Sequence, residues 1–277
     1  MLITGAAGFI GQQVADSAAS AGFGPVWATW HRSRPALSDG VTCPQLDITD
    51  QGAVDALLRE LQPDAVIHAA YRKNGPDAEA ITAAGSGHVA RAAAAIGARL
   101  VHISTDMVLD GENAPYDESA QPAPVHGYGR TKAAAEALVR SSAPDAAIVR
   151  TSLVCRLDPP DPVTQWISDC LRDGETITLY TDEIRCPVWL DDLSSALLEL
   201  AASDFSGVIN VSGPQALSRY EMGLRLARCL GLDPARITPG LSSLSSVRRP
   251  RNLTLDTSLA RRLLQTPLRS FDEGLAA

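Results

Sequence analysis

The first eleven residues, M-L-I-T-G-A-A-G-F-I-G, run from a short apolar segment into three glycines, Gly5, Gly8 and Gly11, set at intervals of three. Between a strand and an apolar helix, glycines at this spacing permit a tight turn, let a diphosphate approach the backbone, and allow the helix to pack closely on the strand. The N-terminus of the helix then faces the phosphates. Such spacing also occurs in purely structural turns. Here it sits between a strand-like N-terminus and the apolar segment 10–21, which is the context a dinucleotide site requires.

The same alternation repeats downstream. Strands are expected at 1–4, 26–30, 65–68, 100–104 and 147–150, and Ala-rich helices at 10–21, 51–61, 78–97 and 130–141. Asp50 stands where the second helix needs an N-cap. Strand, helix, strand in repetition predicts an α/β protein with a doubly wound parallel sheet of Rossmann type, which binds ligands outside the carboxyl ends of its strands. After Arg150 the pattern loosens at Pro159, Pro160 and Pro162, with helices expected at 164–172, 218–230 and 257–264 and a strand at 208–211. The expected division is a dinucleotide-binding domain over 1–155, with segments from about 187–212 returning to it. A smaller substrate-binding lobe is expected from 156–186 and 213–277.

At 277 residues, 45% hydrophobic and 20% charged, the chain can bury a substantial core. A net charge of −8 without a dense Lys/Arg run argues against a nucleic-acid partner. Five scattered cysteines, with no C-x-x-C pair, argue against a disulfide framework and a zinc site. No metal is expected, and the reducing cytoplasm is the expected location. No apolar run approaches the roughly 18 residues of a membrane span, so no membrane partner is expected either.

The dinucleotide is read from the end of the second strand, where NAD sites carry an acid for the ribose hydroxyls. Here the chain reads Trp30-His31-Arg32-Ser33-Arg34, with no acid until Asp39. Positive charge suits a 2′-phosphate, so NADP(H) is expected, with NAD(H) as the alternative. The same arginines also fit a solvated loop. Asp47 is placed either to reach an adenine edge or to make a turn.

Two further segments carry chemistry. In Gly127-Tyr128-Gly129-Arg130-Thr131-Lys132, a spacing of four puts Tyr128 and Lys132 on one helical face. A phenol of pKa about 10 is a poor proton shuttle at neutral pH, and a nearby ammonium lowers it. Alone, such a pair is also an ordinary surface pairing. In S-T-D-M-V-L-D-G, residues 104–111, three short polar side chains end the strand at the edge of the expected crevice.

Taken in order, T-G-A-A-G-F-I-G, H-A-A (68–70), S-T-D-M-V-L-D-G, Y-G-R-T-K (128–132) and V-R-T-S (149–152) resemble the extended short-chain dehydrogenase/reductases. Within them the chain is most similar to the dTDP-4-dehydrorhamnose reductase group. The likeness extends through P-V-W-L-D-D-L (187–193) and N-V-S-G-P (210–214), over essentially the whole chain. It implies an NADP-dependent reductase that transfers hydride to a ketone, most simply a 4-keto-6-deoxysugar nucleotide. By position it implies Thr105, Tyr128 and Lys132 as the catalytic trio. Tyr128 would protonate the carbonyl oxygen, Lys132 would depress the Tyr128 pKa and hold the nicotinamide ribose, and Thr105 would bind the substrate oxygen. Gly5, Gly8, Phe9, Ile10 and Gly11 match the pyrophosphate turn. His31, Arg32, Ser33, Arg34, Asp47 and Ile48 fall on the adenosine side, and Ala69, Ala70 and Tyr71 under its ribose. Ser104, Arg150 and Thr151 join Tyr128 and Lys132 beside the nicotinamide. Asp106, Met107, Leu153, Arg185 and Arg249 are the expected substrate contacts, the two arginines toward a nucleotide diphosphate or simply on the surface.

The chain departs from the group at four places. Met107 and Leu153 stand where Tyr and Trp are usual, Cys155 where Tyr is common, and Thr82 where Asn is more frequent. Aromatic faces are platforms for sugar rings, so these changes bear on the substrate rather than the cofactor. Met107 also removes the Glu that a sugar-nucleotide dehydratase carries there, and the S-S-x-x-V-Y-G segment of 4-epimerases is missing. Three other readings stay open: a non-catalytic NADP-binding regulatory subunit like that of methionine adenosyltransferase, a redox-sensing binding protein, and a reductase of a non-sugar ketone. A monomer or homodimer is expected. His68, His88, His102 and His126 are read as structural.

Overall fold

The computed structural model describes residues 1–245 and 248–277. Strands β1 (Leu2–Thr4), β2 (Val26–Thr29), β3 (Val41–Thr42), β4 (Ala65–His68), β5 (Arg99–Thr105) and β6 (Ala147–Thr151) join the later strand Gly207–Val211 in one sheet. Its order is β3-β2-β1-β4-β5-β6, then Gly207–Val211, and every neighbouring pair is parallel. The direction of winding reverses between β1 and β4, so a crevice opens at their carboxyl ends. The expected doubly wound α/β sheet is present.

Alternation along each strand divides the core in two. Ile3, Ile67, Val101 and Val149 face α1 (Phe9–Ser20) and its Val14, Ala15 and Ala18. Leu2, Val66, Leu100 and Ile148 face the other way, onto Val54 and Leu58 of α2 (Gln51–Leu61), Val89 and Ala93 of α3 (Gly85–Ala95), and Val139 of α4 (Gly127–Ser142). Asp50 caps α2 through the Ala53 N–H at 3.0 Å. The second helix on the first face is α6 (Leu190–Ala201), which the sequence did not announce; its Leu193, Ala196, Leu197 and Leu200 lie against α1 and the sheet. Ala260 and Leu264, around the helix Ser258–Leu263, complete that core. A separate apolar cluster packs α5 (Pro162–Arg172) and α7 (Arg219–Cys229) against the parallel pair Ile177–Tyr180 and Ile237–Gly240, which was also unforeseen.

Two helix boundaries bear on the site. The expected helix 78–97 begins instead as a π-helical turn, Ala80–Ala84, before α3. The buried Thr82 hydroxyl accepts from the Arg72 N–H at 2.9 Å and donates to the Arg72 carbonyl at 3.0 Å, tying this wide turn to the loop after β4. The expected helix 130–141 starts three residues early, because the His126 ring caps the Gly129 N–H at 3.2 Å. Tyr128 is therefore helical with Lys132. Among the described residues no helix is long and apolar enough to cross a membrane.

Candidate active site

The glycine turn forms a backbone cradle. Gly5 has φ +76°, and a Cβ on it would lie 2.6 Å from the Ala70 backbone. Only glycine allows both the left-handed conformation and this approach of the β1 and β4 ends. A Cβ on Gly11 would lie 2.4 Å from the Gly5 carbonyl, so the helix can sit this close to the turn only without a side chain. Gly8 is the N-cap of α1, and the first turn carries neither a capping side chain nor an acid. Open N–H groups at a positive helix end, beside a bare backbone, fit a diphosphate. Phe9 at the same turn is covered by the Arg156 guanidinium, 4.7 Å from its ring centroid, while half-buried Ile10 packs into the core.

At the end of β2 the expected basic cluster is on the rim, and part of it is paired. Arg32 meets Asp77 at 3.2 Å, and Arg72 meets the same carboxylate at 2.9 Å. His31 faces Asp47 at 3.4 Å. Asp47 also accepts from the Thr49 N–H and hydroxyl, at 2.9 and 2.7 Å. Burial pushes its pKa up, but these bonds and the charges of His31 and Arg32 outweigh that and leave it lowered. Asp47 thus makes the turn and faces the rim at once. Ser33 and Arg34 are exposed. Ile48 is buried under Gly85, and its carbonyl binds the His88 ring at 2.9 Å.

Thr105, Tyr128, Lys132 and Tyr71 come together at the carboxyl end of β5. The buried Lys132 Nζ donates to the Ile103 carbonyl at 2.5 Å and lies 6.0 Å from the centroid of the Tyr71 ring. Tyr71 in turn tilts against Tyr128, with centroids 5.7 Å apart. Gly129 lets α4 approach this closely, since a Cβ there would lie 2.1 Å from the Met107 carbonyl. Burial lowers the Lys132 pKa to about 8 against the opposing charge of Glu136. The expectation that Lys132 depresses the Tyr128 pKa is not met: burial raises it, Tyr71 and Asp106 add to the rise, and the Thr105 hydroxyl opposes it. Lys132 is turned to the Ile103 carbonyl instead. Beneath it His68 and His102 stack, 5.4 Å apart. His68 bonds Thr4 Oγ1 at 2.6 Å and Ser86 Oγ at 3.0 Å, and burial followed by the Lys132 charge lowers its pKa to about 3. Both imidazoles therefore stay neutral beside the ammonium.

Other expected contacts are directed elsewhere. Ser104 donates to Glu136 at 2.6 Å, and Arg150 binds both oxygens of that carboxylate, at 3.0 and 2.9 Å. Their side chains thus form a buried cluster with Glu136 in place of lining the nicotinamide side. Thr151 ends β6 in register with Thr105, its hydroxyl buried and without a hydrogen bond. Asp106 is buried too; it accepts from Ser152 at 2.7 Å and Thr105 at 3.2 Å. Arg185, expected at a diphosphate, is 2% exposed. It is consumed by the Ile184 and Pro250 carbonyls, Glu183, and Met107 Sδ at 3.8 Å. A guanidinium so enclosed joins segments of the protein rather than meeting a ligand. Arg249 is freer: it meets Glu183 at 3.6 Å and lies over the Tyr180 ring at 5.5 Å. Leu153 is half-buried against Cys155, Trp189 and Phe271. Among the described residues no three His, Cys, Asp or Glu side chains converge as metal ligands.

A family model described as the RmlD substrate binding domain matches residues 1–277. The chain belongs to this family. It is 33% identical to the dTDP-4-dehydrorhamnose reductase of Mycolicibacterium smegmatis, over 99% of this chain and 83% of that protein. It is 32% identical to a probable low-salt glycan biosynthesis reductase of Haloferax volcanii, over 99% and 95%. The methionine adenosyltransferase 2 subunit beta of Rattus norvegicus matches at 30% identity, over 93% and 80%. Among solved structures, a hypothetical dTDP-4-dehydrorhamnose reductase from Sulfolobus tokodaii superposes with a TM-score of 0.85 at 29% identity, covering 99% and 98%. The Bacillus anthracis dTDP-4-dehydrorhamnose reductase in complex with NADP gives 0.83 at 25% identity, covering 99% and 96%.

Three charged residues of this RmlD-family chain escaped the sequence. Glu136 lies on α4 one turn past Lys132, a spacing that could have flagged it. Asp77 and Arg156 gave no local signal for the site, because Arg32 and Phe9, which they meet there, are distant in the chain.

Proposed function

We propose that this protein is an NADP(H)-dependent reductase, with NAD(H) as the alternative cofactor, that reduces a ketone on a nucleotide-linked sugar. The observation that carries the reading is the gathering of Thr105, Tyr128 and Lys132 beside a glycine cradle fit for a diphosphate. A bound nicotinamide dinucleotide supplies the hydride. Everything else falls to the chain. Gly5, Gly8 and Gly11 hold the diphosphate against α1, and Ala69 and Ala70 border it. Thr105 and Tyr128 hydrogen-bond the ketone oxygen, and Tyr128, kept protonated by burial, gives its proton as negative charge develops there. Lys132, when protonated, has two N–H donors left after Ile103 for a ribose hydroxyl. Arg249, exposed beside Glu183 and Tyr180, would bind the substrate's diphosphate. The five cysteines are free, in keeping with a cytoplasmic protein.

Since Lys132 must carry its proton, the reduction rate is expected to be flat below pH 8 and to fall as pH passes through about 8. Lys132→Arg stays charged through this range. A kcat profile in which that variant loses the alkaline limb checks the assignment, and an unchanged limb refutes it.

For cofactor choice, Arg32→Ala and Arg34→Ala are expected to weaken NADPH at least about tenfold while changing NADH little. Titration by NADPH and NADH fluorescence reads this directly; equal losses would remove the 2′-phosphate role. The likeness to the methionine adenosyltransferase subunit supports a second reading, binding without turnover. Tight NADPH binding with no NADPH oxidation, on any of a panel of nucleotide-linked 4-keto sugars and simple ketones, would favour it.

A further inference from the structure

Just beyond β6, the segment Leu153–Cys155 forms one wall of a pocket completed by α5, α7 and Phe271. That wall continues in the chain directly from the proposed reaction centre, where Thr151 pairs in register with Thr105 and Ser152 donates to Asp106. Two of the aromatic platforms that the family resemblance implies are replaced on this wall by Leu153 and Cys155. The lining is largely apolar, and its polar groups are accounted for with one exception. Asp161 accepts from the Val163 and Thr164 N–H groups, at 2.9 and 3.1 Å, and from the Thr164 hydroxyl at 2.5 Å. The Cys155 thiol is held protonated by burial.

Arg219 is the exception. Its backbone N–H binds the Glu183 carbonyl at 3.0 Å, but among the described residues its half-buried guanidinium has no hydrogen bond and no ion pair. The Glu183 and Asp161 carboxylates attract it from a distance, but Glu183 is committed to Arg185 at 3.2 Å and Arg249 at 3.6 Å, and Asp161 to the donors at the start of α5. A guanidinium presents a planar fork of donors that a carboxylate or a phosphate fills with two parallel bonds. With the diphosphate given to Arg249, a carboxylate is left for Arg219. We propose that Arg219 binds a carboxylate carried on the substrate's sugar ring, which makes the substrate an acidic nucleotide sugar. The proposal rests on the ketone-reductase reading above and narrows its substrate class.

Calorimetric titration of the NADPH-bound protein with UDP-glucuronate and UDP-glucose, and with the corresponding thymidine diphosphate pair, tests this. The members of each pair differ only in a carboxylate or a hydroxymethyl at C6. The acidic member is expected to bind about tenfold tighter or more. That advantage should vanish in Arg219→Gln, persist in part in Arg219→Lys, and leave NADPH affinity equal in all three proteins. Equal binding of the two members, or an acid preference that Arg219→Gln retains, overturns the proposal and leaves the reductase reading standing. Binding of none of the four overturns the nucleotide-sugar reading, and the proposal with it.

Discussion

Tyr128→Phe is expected to lower ketone turnover by about 100- to 10,000-fold, the range over which a positioned general acid acts. The ring remains. Phe keeps the contact with Tyr71 and the stacking on His126, so thermal stability and NADPH affinity should match those of the parent. The loss should fall on kcat, because the phenol proton is needed only once charge builds on the carbonyl oxygen. Steady-state NADPH oxidation together with a binding titration separates the two effects. Turnover that survives the substitution would sink the role assigned to Tyr128. The pKa raised by burial agrees with this assignment in one respect: the phenol arrives at the substrate carrying its proton.

Glu136→Ala is expected to cost about 3–5 kcal/mol of folding stability and to lower the thermal midpoint by roughly 10 °C. Glu136 and Arg150 are each 1% exposed, and the carboxylate accepts from Ser104, Arg150 and Arg140. Removing it leaves the Arg150 guanidinium in the interior with the Ala120 carbonyl at 2.7 Å as its remaining hydrogen-bond partner. An uncompensated buried charge is the expensive outcome. Replacing both partners at once, Glu136→Leu with Arg150→Met, should recover most of the loss. Calorimetric unfolding of the single and double variants decides the matter. A single variant as stable as the parent would show that the cluster contributes nothing.

That cluster illustrates where the sequence stops being legible. Ser104 and Arg150 sit in the right motifs, and position alone assigns them to the nicotinamide side. A strand residue's side chain goes to one face or the other, however, and which face holds a compensating carboxylate depends on a helix elsewhere in the chain. Arg185 is the same case: an isolated arginine reads as a surface or ligand residue, and only packing shows its donors spent on Glu183, Pro250 and Met107. The cradle, by contrast, was legible residue by residue. Glycine spacing states a backbone requirement directly, and Gly5 and Gly11 meet it against Ala70 and the Gly5 carbonyl. That Tyr128 and Lys132 share a helical face was legible for a similar reason, since a spacing of four is a property of the helix itself.

What the sequence determined by itself was therefore local and periodic: the strand and helix alternation, the glycine turn, the one-turn spacing of Tyr128 and Lys132, and the basic end of β2. Each is set by interactions a few residues apart in the chain. The tertiary structure alone decided which charged side chains face solvent and which face each other. It put Arg32 against Asp77, Arg150 against Glu136 and Arg185 against Glu183, and it left the Arg219 guanidinium lining an apolar pocket with no hydrogen bond or ion pair among the described residues. The physical reason is desolvation: what a charge does inside a protein depends on the whole set of groups folded around it, and most of those lie far away in sequence.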